Sequence, residues 1–365
     1  MKVLVFGMTD TAGGVESVIM NYYRHLDRSK IQFDFLCNND TVAYSDEIES
    51  MGGKIIHIPM RSKDPKGYKA AMDSFFSQHA SEYGAIWVNV CSLANVDYLS
   101  YAKKYGIPKR VIHSHNSENM DSRLRGLLHK FNRTRIQKLA TDYWACSQEA
   151  ADWFFPSKLQ KSDKFWLVNN AIDLNKFAYN PYKREEVRKR MGVADQFVVG
   201  NVGRLHFQKN QEFLLLIFQE ILKRKPDSVL WMIGKGEDEA RLRAQIKQMG
   251  LEDKANLLLE RSDIPDLLSA MDVFVMPSRF EGLSLAAVEA QAASLPCFLS
   301  AKVITETVKM TDYLDFIGLD ESPAVWAEKI VNAPDDRTKL DPSQIAHKGF
   351  SIEQEVSKLE HHFIS

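Results

Sequence analysis

The chain is poor in the features that mark membrane-embedded, secreted or nucleic-acid-binding proteins. No stretch approaches the roughly 20 apolar residues needed to span a bilayer. The opening "MKVLVFGM" is too short an apolar run for a secretory leader and reads as a first strand. Cysteine is scarce: Cys37, Cys91, Cys146 and Cys297 stand far apart, with neither CxxC nor metal-ligand spacing. That excludes a disulfide framework or a zinc site and suits reduced thiols in the cytosol. An excess of one charge is also missing. Lys+Arg 47 against Asp+Glu 48 gives a formal net charge of -1, which excludes a globally basic nucleic-acid binder but leaves room for a local basic patch. Neither G-x-G-x-x-G nor G-x-x-x-x-G-K-[ST] occurs; "GKGEDE" at 234–239 has the first two glycines and no third. A dinucleotide-dependent oxidoreductase and a P-loop enzyme are disfavoured accordingly. No low-complexity linker or disordered tail is evident.

What is present suits two globular domains: 365 residues, 45% of them hydrophobic. The chain opens with strand "KVLVF", glycine loop "GMTDTAGG" and helical pattern "VESVIMNYYRHL". The middle repeats the plan with "FVVGNV", "GRLHFQKN" and "QEFLLLIFQEILKR". Further strand signals are "QFDFLC", "KIIHIP", "AIWVNV", "RVIHSH", "YWACS" and "FWLVNN", then "SVLWMIG", "NLLLE", "VFVMPS" and "PCFLS". Strands alternating with helices predict an α/β fold of two Rossmann-like domains with parallel sheets, ligands being expected in a cleft at the carboxyl ends of the strands. We place the domains at 1–170 and 171–348, with a final helix over 349–365 packing back on the first.

The segment "RFEGLSLAAVEA" (279–290) poses the chemical question. A buried strand precedes it, Gly282 gives turn freedom, and Ser284 suits the N-cap of an apolar helix starting at Leu285. Glu289 lies too far into that helix for a capping box. Its charge needs a partner: a water-facing edge, an internal arginine, or the hydroxyl groups of a ligand. Arg204 and Lys209 lie between a strand and a helix, where they are either surface charges or, with the helix amides, a phosphate site. Gly13 and Gly14 allow close backbone approach. In "HSHN" (113–116), His113 and His115 alternate along a strand and are expected on opposite faces, so they do not share a metal ion. Either one histidine reaches the cleft or both are structural.

Taken together these segments resemble the retaining glycosyltransferases of family 4, which have the GT-B architecture of two facing Rossmann-like domains with an interdomain cleft. "RFEGLSLAAVEAQAASLP" is similar to the family's E-x7-E segment, "VGNVGRLHFQKNQEFLL" to its donor-phosphate loop, and "AGGVESVIMN" to its N-terminal glycine loop. "HSHN" is similar to its histidine strand, "RSDIPDLLSAMDVFVMPS" to its donor-base region and "VNNAID" to its hinge. The likeness spans essentially the whole chain and is nearest to bacterial enzymes of exopolysaccharide and capsule synthesis.

The resemblance implies a donor site of Gly13, Gly14, Arg204, Lys209, Arg261, Ile264, Glu281, Gly282, Leu283, Ser284 and Glu289. Within it Glu289 takes the ribose hydroxyls, Glu281 takes sugar hydroxyls, and Arg204 and Lys209 take the diphosphate. His115, Arg204, Lys209 and Glu281 are the expected catalytic set, with no metal and no cofactor beyond a nucleotide-sugar substrate, UDP-linked by resemblance. In the hinge Asn169 replaces proline and Ala171 replaces glycine; Ser294 stands where glycine is common.

Charge develops on the leaving diphosphate during glycosyl transfer, and fixed cations are well suited to hold it. The resemblance implies retention, and with no second carboxylate placed as a nucleophile, front-face attack is favoured. The acceptor is expected to be a saccharide or a polyprenyl-diphosphate-linked saccharide, with no nucleic-acid partner. "DSRLRGLLHKFNRTRIQK" (121–138) carries Arg123, Arg125, Lys130, Arg133, Arg135 and Lys138 against one acidic residue, Asp121, with leucines and Phe131 between them. It is either a solvated basic helix or a contact with an anionic membrane, which makes the protein cytoplasmic and peripheral at the inner face. Two other readings stay open: a GT-B sugar-nucleotide epimerase, which needs no acceptor, and a nucleotide-sugar-binding protein without turnover.

Overall fold

A computed structural model describes residues 1–116, 122–259, 261–281, 283–302, 308–337 and 343–365. The chain forms two compact units, Met1–Ala171 with Ile352–Ser365, and Ile172–Ser351.

The first unit is built on strands β1 (Lys2–Phe6), β2 (Gln32–Cys37), β3 (Ile55–His57), β4 (Ala85–Val90), β5 (Lys109–Ser114), β6 (Asp142–Ala145) and β7 (Phe165–Leu167). They form one sheet in the order β3-β2-β1-β4-β5-β6-β7, and each neighbouring pair is parallel. Such strands are covered on both faces and read as near-continuous apolar runs. Val3, Leu4 and Val5 of β1 are fully buried, as are Ala85, Ile86 and Trp87 of β4. The C-terminal helix Ile352–Ile364 packs against the helix Gly14–His25. Its Phe363 ring lies 5.2 Å from Trp144 and 5.9 Å from Trp87, and Glu360 Oε1 accepts a hydrogen bond from the Asp27 amide at 2.7 Å. The last fourteen residues therefore complete the core of the unit that the first residues begin.

The second unit repeats the arrangement with β8 (Phe197–Val202), β9 (Ser228–Ile233), β10 (Ala255–Leu257), β11 (Val273–Met276), β12 (Cys297–Ser300) and β13 (Leu314–Ile317). Their order is β10-β9-β8-β11-β12-β13, again all parallel. Side chains alternate between faces: Val198, Phe274 and Met276 enter one core, Val199, Val273 and Val275 the other. β13 has no counterpart among the strand signals read from the sequence. It is an edge strand whose central Asp315 and Phe316 are only partly buried, so it lacks the apolar run that marks its neighbours.

In both sheets the strand order reverses between the first and fourth strands of the unit, β1/β4 and β8/β11. In doubly wound sheets ligand-binding loops leave the carboxyl ends of the strands at this switch point.

The chain enters the second unit at Ile172 and leaves it at Ser351, and these two residues form a parallel bridge. Before the entry, Ala171 N–H donates to Asn169 O at 2.8 Å. The carbonyls of Asn169 and Ala171 accept from Tyr22 Oη (2.8 Å) and Asn21 Nδ2 (3.1 Å). Ala171 has no positive φ, so this turn makes no demand for glycine. Ser294 differs. It follows the helix Leu285–Ala292 with φ 57, while its amide bonds Gln291 O and that of Leu295 bonds Ala290 O. This is a Schellman ending, whose left-handed position favours glycine.

Candidate active site

In the second unit, the loops after β8 and β11 meet at the switch point. Gln208 Nε2 donates to Phe280 O (3.0 Å), the Arg279 amide to Gln208 O (2.7 Å), and Asn210 Nδ2 to Pro277 O (3.0 Å). The Arg279 guanidinium lies 4.0 Å from the Phe207 ring centroid. Between the stitched loops, Lys209 Nζ is 2.6 Å from Glu281 Oε1, with 15% and 6% of the two side chains exposed. The same oxygen accepts from Ser278 Oγ at 2.7 Å. Ser278, which the sequence did not single out, is itself held by Ser300 Oγ bonding its carbonyl.

Arg204 is not part of that pair. It is 69% exposed and bonds Glu237 at 3.1 Å, and His206 Nε2 lies 3.3 Å from the other oxygen of Glu237. Glu237 is held below the usual carboxylate range, first by its own backbone amide and then by the neighbouring Arg204 and His206, against its desolvation. An exposed pair of this kind contributes about 0–1 kcal/mol, so Arg204 is only weakly held.

The glycines of "GKGEDE" have a packing role. A Cβ on Gly234 would lie 2.2 Å from Gly203 O, and one on Gly236 would lie 2.1 Å from Leu205 O. They let the loops after β8 and β9 run backbone against backbone.

Glu289 lies on the helix Leu285–Ala292, most of whose residues are buried. No hydrogen bond or ion pair holds its carboxylate among the described residues. Burial pushes it up to about 7, and the charge of Lys176, on the adjoining helix Leu174–Phe177, opposes that rise. Neither an internal arginine nor a cap accounts for it. Ser284 occupies the N-cap position as expected but does not cap: its Oγ is directed at Met276 Sδ, 3.5 Å away. The reason is its burial beside β11, which leaves the first amides of the helix without a side-chain acceptor. Leu283 is buried next to it, and Gly282 lies outside the described residues. At the edge of the donor-base region, Arg261 bonds Asp263 through Nε and Nη2 at 2.8 and 2.7 Å. Asp263 also takes Arg190 at 2.9 Å, and Ile264 begins the helix Ile264–Ala270.

In the first unit, Gly13 is the N-cap and Gly14 the first residue of the helix after β1. A Cβ on Gly14 would meet nothing within 4 Å. Below it Glu16 is buried and accepts from Thr9 Oγ1 at 2.6 Å; burial raises its carboxyl, against that hydrogen bond. Neither Thr9 nor Glu16 was singled out from the sequence.

The histidines depart from expectation. His113 and His115 are not on opposite faces: their rings are 4.0 Å apart. Both bond one atom, Asn89 Oδ1, through His113 Nδ1 at 3.1 Å and His115 Nε2 at 2.9 Å. The cause is the pleat itself: residues two apart along a strand share one face, so His113 at the end of β5 and His115 just beyond it fall together, and the expectation of opposite faces is corrected. Because the shared oxygen accepts both bonds, His113 carries its proton on Nδ1 and His115 on Nε2. Burial lowers both rings, His115 to about 3, and each is neutral at physiological pH. That leaves His115 Nδ1 as an acceptor. Asn89 itself sits under Gly7, where a Cβ would lie 2.7 Å from its own Cβ. The signal for Asn89 was a polar residue in the buried run "AIWVNV".

The basic residues of 123–138 lie on the helix Arg123–Arg135 and the turn Ile136–Lys138 of this unit; Asp121 falls outside the described residues. Arg133 is no free surface charge, since its Nη2 donates to the carbonyls of Asp152 (3.0 Å) and Phe155 (2.9 Å).

The model of the family described as Glycosyl transferases group 1 matches residues 183–341. EpsF of Bacillus subtilis (strain 168), a protein named as a glycosyltransferase, is 31% identical over 358 residues, 95% of this chain and 92% of its own. The UDP-Gal:alpha-D-GlcNAc-diphosphoundecaprenol alpha-1,3-galactosyltransferase of Escherichia coli is 39% identical over 141 residues, 38% of this chain and 36% of its own. Among solved structures, Anabaena Alr3699/HepE in complex with UDP and glucose has a TM-score of 0.79 at 18% identity, with 100% of both chains covered. At that identity the likeness speaks for the fold. The likeness to EpsF, running nearly the full length of both proteins, decides the family: the chain belongs to the group 1 glycosyltransferases.

Proposed function

We propose that the protein transfers a sugar from a UDP-sugar, with retention and without a metal ion, to a saccharide or polyprenyl-diphosphate-linked saccharide acceptor. Exopolysaccharide or capsule synthesis at the cytoplasmic face of the membrane is the setting this reading gives it. The observation that carries it is the buried Lys209–Glu281 pair at the β8/β11 switch point, with Glu289 on the following helix held by no hydrogen bond or ion pair among the described residues. The E. coli relative is named for a UDP-sugar donor and a diphosphoundecaprenol acceptor, and the Anabaena structure holds UDP and glucose; both support the donor class.

In this mechanism Lys209 meets the diphosphate directly, and Arg204 exchanges Glu237 for it. Both cations stabilise the charge that builds as the sugar departs, a contribution of about 3–4 kcal/mol for a key donor. Backbone amides at the start of the helix Leu285–Ala292 add donors. Glu281, held by Ser278, accepts sugar hydroxyls, and Glu289 accepts those of the ribose, while Arg261 and Ile264 frame the base. His115, neutral and held by Asn89, offers Nδ1 as an acceptor to a substrate hydroxyl. The departing phosphate takes the acceptor's proton as it attacks from the same face.

Thermal shift with UDP, GDP and ADP tests the donor site. UDP at about 100 times its dissociation constant should stabilise the wild type by roughly 2.7 kcal/mol and Glu289→Ala by much less. Equal responses would make Glu289 structural. Turnover should survive EDTA, and a glycosyl group trapped on a carboxylate would overturn front-face attack.

A further inference from the structure

The helix Arg123–Arg135 is polar on the side it buries and apolar on the side it exposes. Gly126, His129 and Asn132 are buried, whereas Leu124, Leu127, Leu128 and Phe131 are exposed by 67%, 64%, 42% and 57%. Those four recur at i, i+3, i+4 and i+7, the spacing of one continuous stripe. Isolated apolar residues on a surface mean little, but a contiguous patch marks an interaction site.

The buried side shows that this orientation is built in. His129 Nδ1 accepts from the Leu93 amide at 3.0 Å, its Nε2 bonds Trp153 O at 3.2 Å, and its ring stacks on Trp153 at 4.1 Å. Asn132 Nδ2 donates to Leu93 O at 2.7 Å. Rolling the stripe inward would break all of these bonds. They also fasten the helix to the loop after β4, the strand whose Asn89 holds His113 and His115.

Local charge selects the occupant. Arg123, Lys130 and Arg135 are exposed beside the stripe, the Arg135 guanidinium lies 5.0 Å from the Phe131 ring centroid, and no acidic residue occurs from Arg123 to Lys138. Apolar side chains whose charged neighbours along the helix are all cations match an anionic lipid surface, where the leucines enter the acyl boundary and the cations meet headgroups. We infer that the face made by Leu124, Leu127, Leu128 and Phe131, with Arg123, Lys130 and Arg135, docks on an anionic phospholipid monolayer. This sets the carboxyl ends of β4 and β5 beside the bilayer. The inference is independent of the donor-site reading.

The test is co-sedimentation of the full chain with vesicles of phosphatidylcholine, with and without phosphatidylglycerol, at low and high salt. The expected result is pelleting on the anionic vesicles, weakened by salt. Leu127→Glu with Phe131→Glu should lower partitioning by about tenfold or more, and each of Arg123→Glu and Lys130→Glu by roughly fivefold. All four side chains are exposed, so folding should persist, and an unchanged thermal shift by UDP reports the donor site separately. Equal binding to neutral vesicles, no binding, or variants that bind like the wild type would overturn the inference. So would a dimer in sedimentation velocity that Leu127→Glu dissociates, since the face would then join two copies of the chain.

Discussion

Lys209 and Glu281, 72 positions apart in the chain, close to 2.6 Å across the β8/β11 switch point, with Ser278 on the same carboxylate oxygen. A pair withdrawn from water is weak evidence of stabilisation, while a broken one is strongly destabilising. The pairing stores a cation and an acceptor where the proposed donor phosphate and sugar arrive.

Lys209→Met should lower kcat/KM by about 10²–10³-fold and destabilise the protein by about 3 kcal/mol, as read by urea denaturation. Adding Glu281→Gln should restore most of the stability and none of the turnover. Recovery of both would mean that the pair is only structural.

Glu289 gives a pH signature. Its folded value of about 7 is above the ordinary 4.5, so the folded state holds the proton more tightly than the unfolded one. The destabilising charge is absent below about 4.5, grows between 4.5 and 7, and is complete above 7, to at most about 3 kcal/mol. Denaturation at pH 5 and pH 8 should show the wild type losing stability relative to Glu289→Gln as pH rises. UDP, whose ribose hydroxyls favour the ionised carboxylate, should release a proton on binding near pH 6, seen by calorimetry in two buffers of different ionisation enthalpy.

The shared bond to Asn89 fixes two tautomers. Imidazole ¹⁵N shifts should place the proton on Nε2 of His115 and on Nδ1 of His113, with no titration of either ring between pH 5 and 8, since His115 falls to about 3. Asn89→Leu should mix the tautomers. A ring that titrates near 6.5 in the wild type would refute the arrangement.

At the end of the helix Leu285–Ala292, Ser294→Gly should raise stability by up to about 1 kcal/mol, because φ 57 strains a side chain that glycine lacks. Thermal melts at one pH decide it; a loss would mean that the hydroxyl is worth more than the strain.

The parallel sheets were legible because their strands are short apolar runs between turn residues, and β4 and β8 fall on the runs read from the sequence. β13 was not, since an edge strand with Asp315 at its centre shows no such run. The loop residues that line the switch point were legible by type. Their pairings were not: nothing local to Arg204 points to Glu237, and nothing in "HSHN" points to Asn89. The pleat did carry the position of His115, since residues two apart along a strand share one face, and the expectation of opposite faces counted the alternation wrongly. The basic helix was legible as basic, but which of its faces turns inward is decided by His129 and Asn132 finding Leu93.

The bridge between Ile172 and Ser351 makes the second unit a closed detour within the first. During synthesis, residues 172–351 are complete before the helix Ile352–Ile364 exists, so Trp87 and Trp144 wait for Phe363 until the other sheet has been made. The first unit is thus the last to be finished, and a chain truncated after Ser351 would carry an intact second unit beside a first one with its aromatic core unsealed.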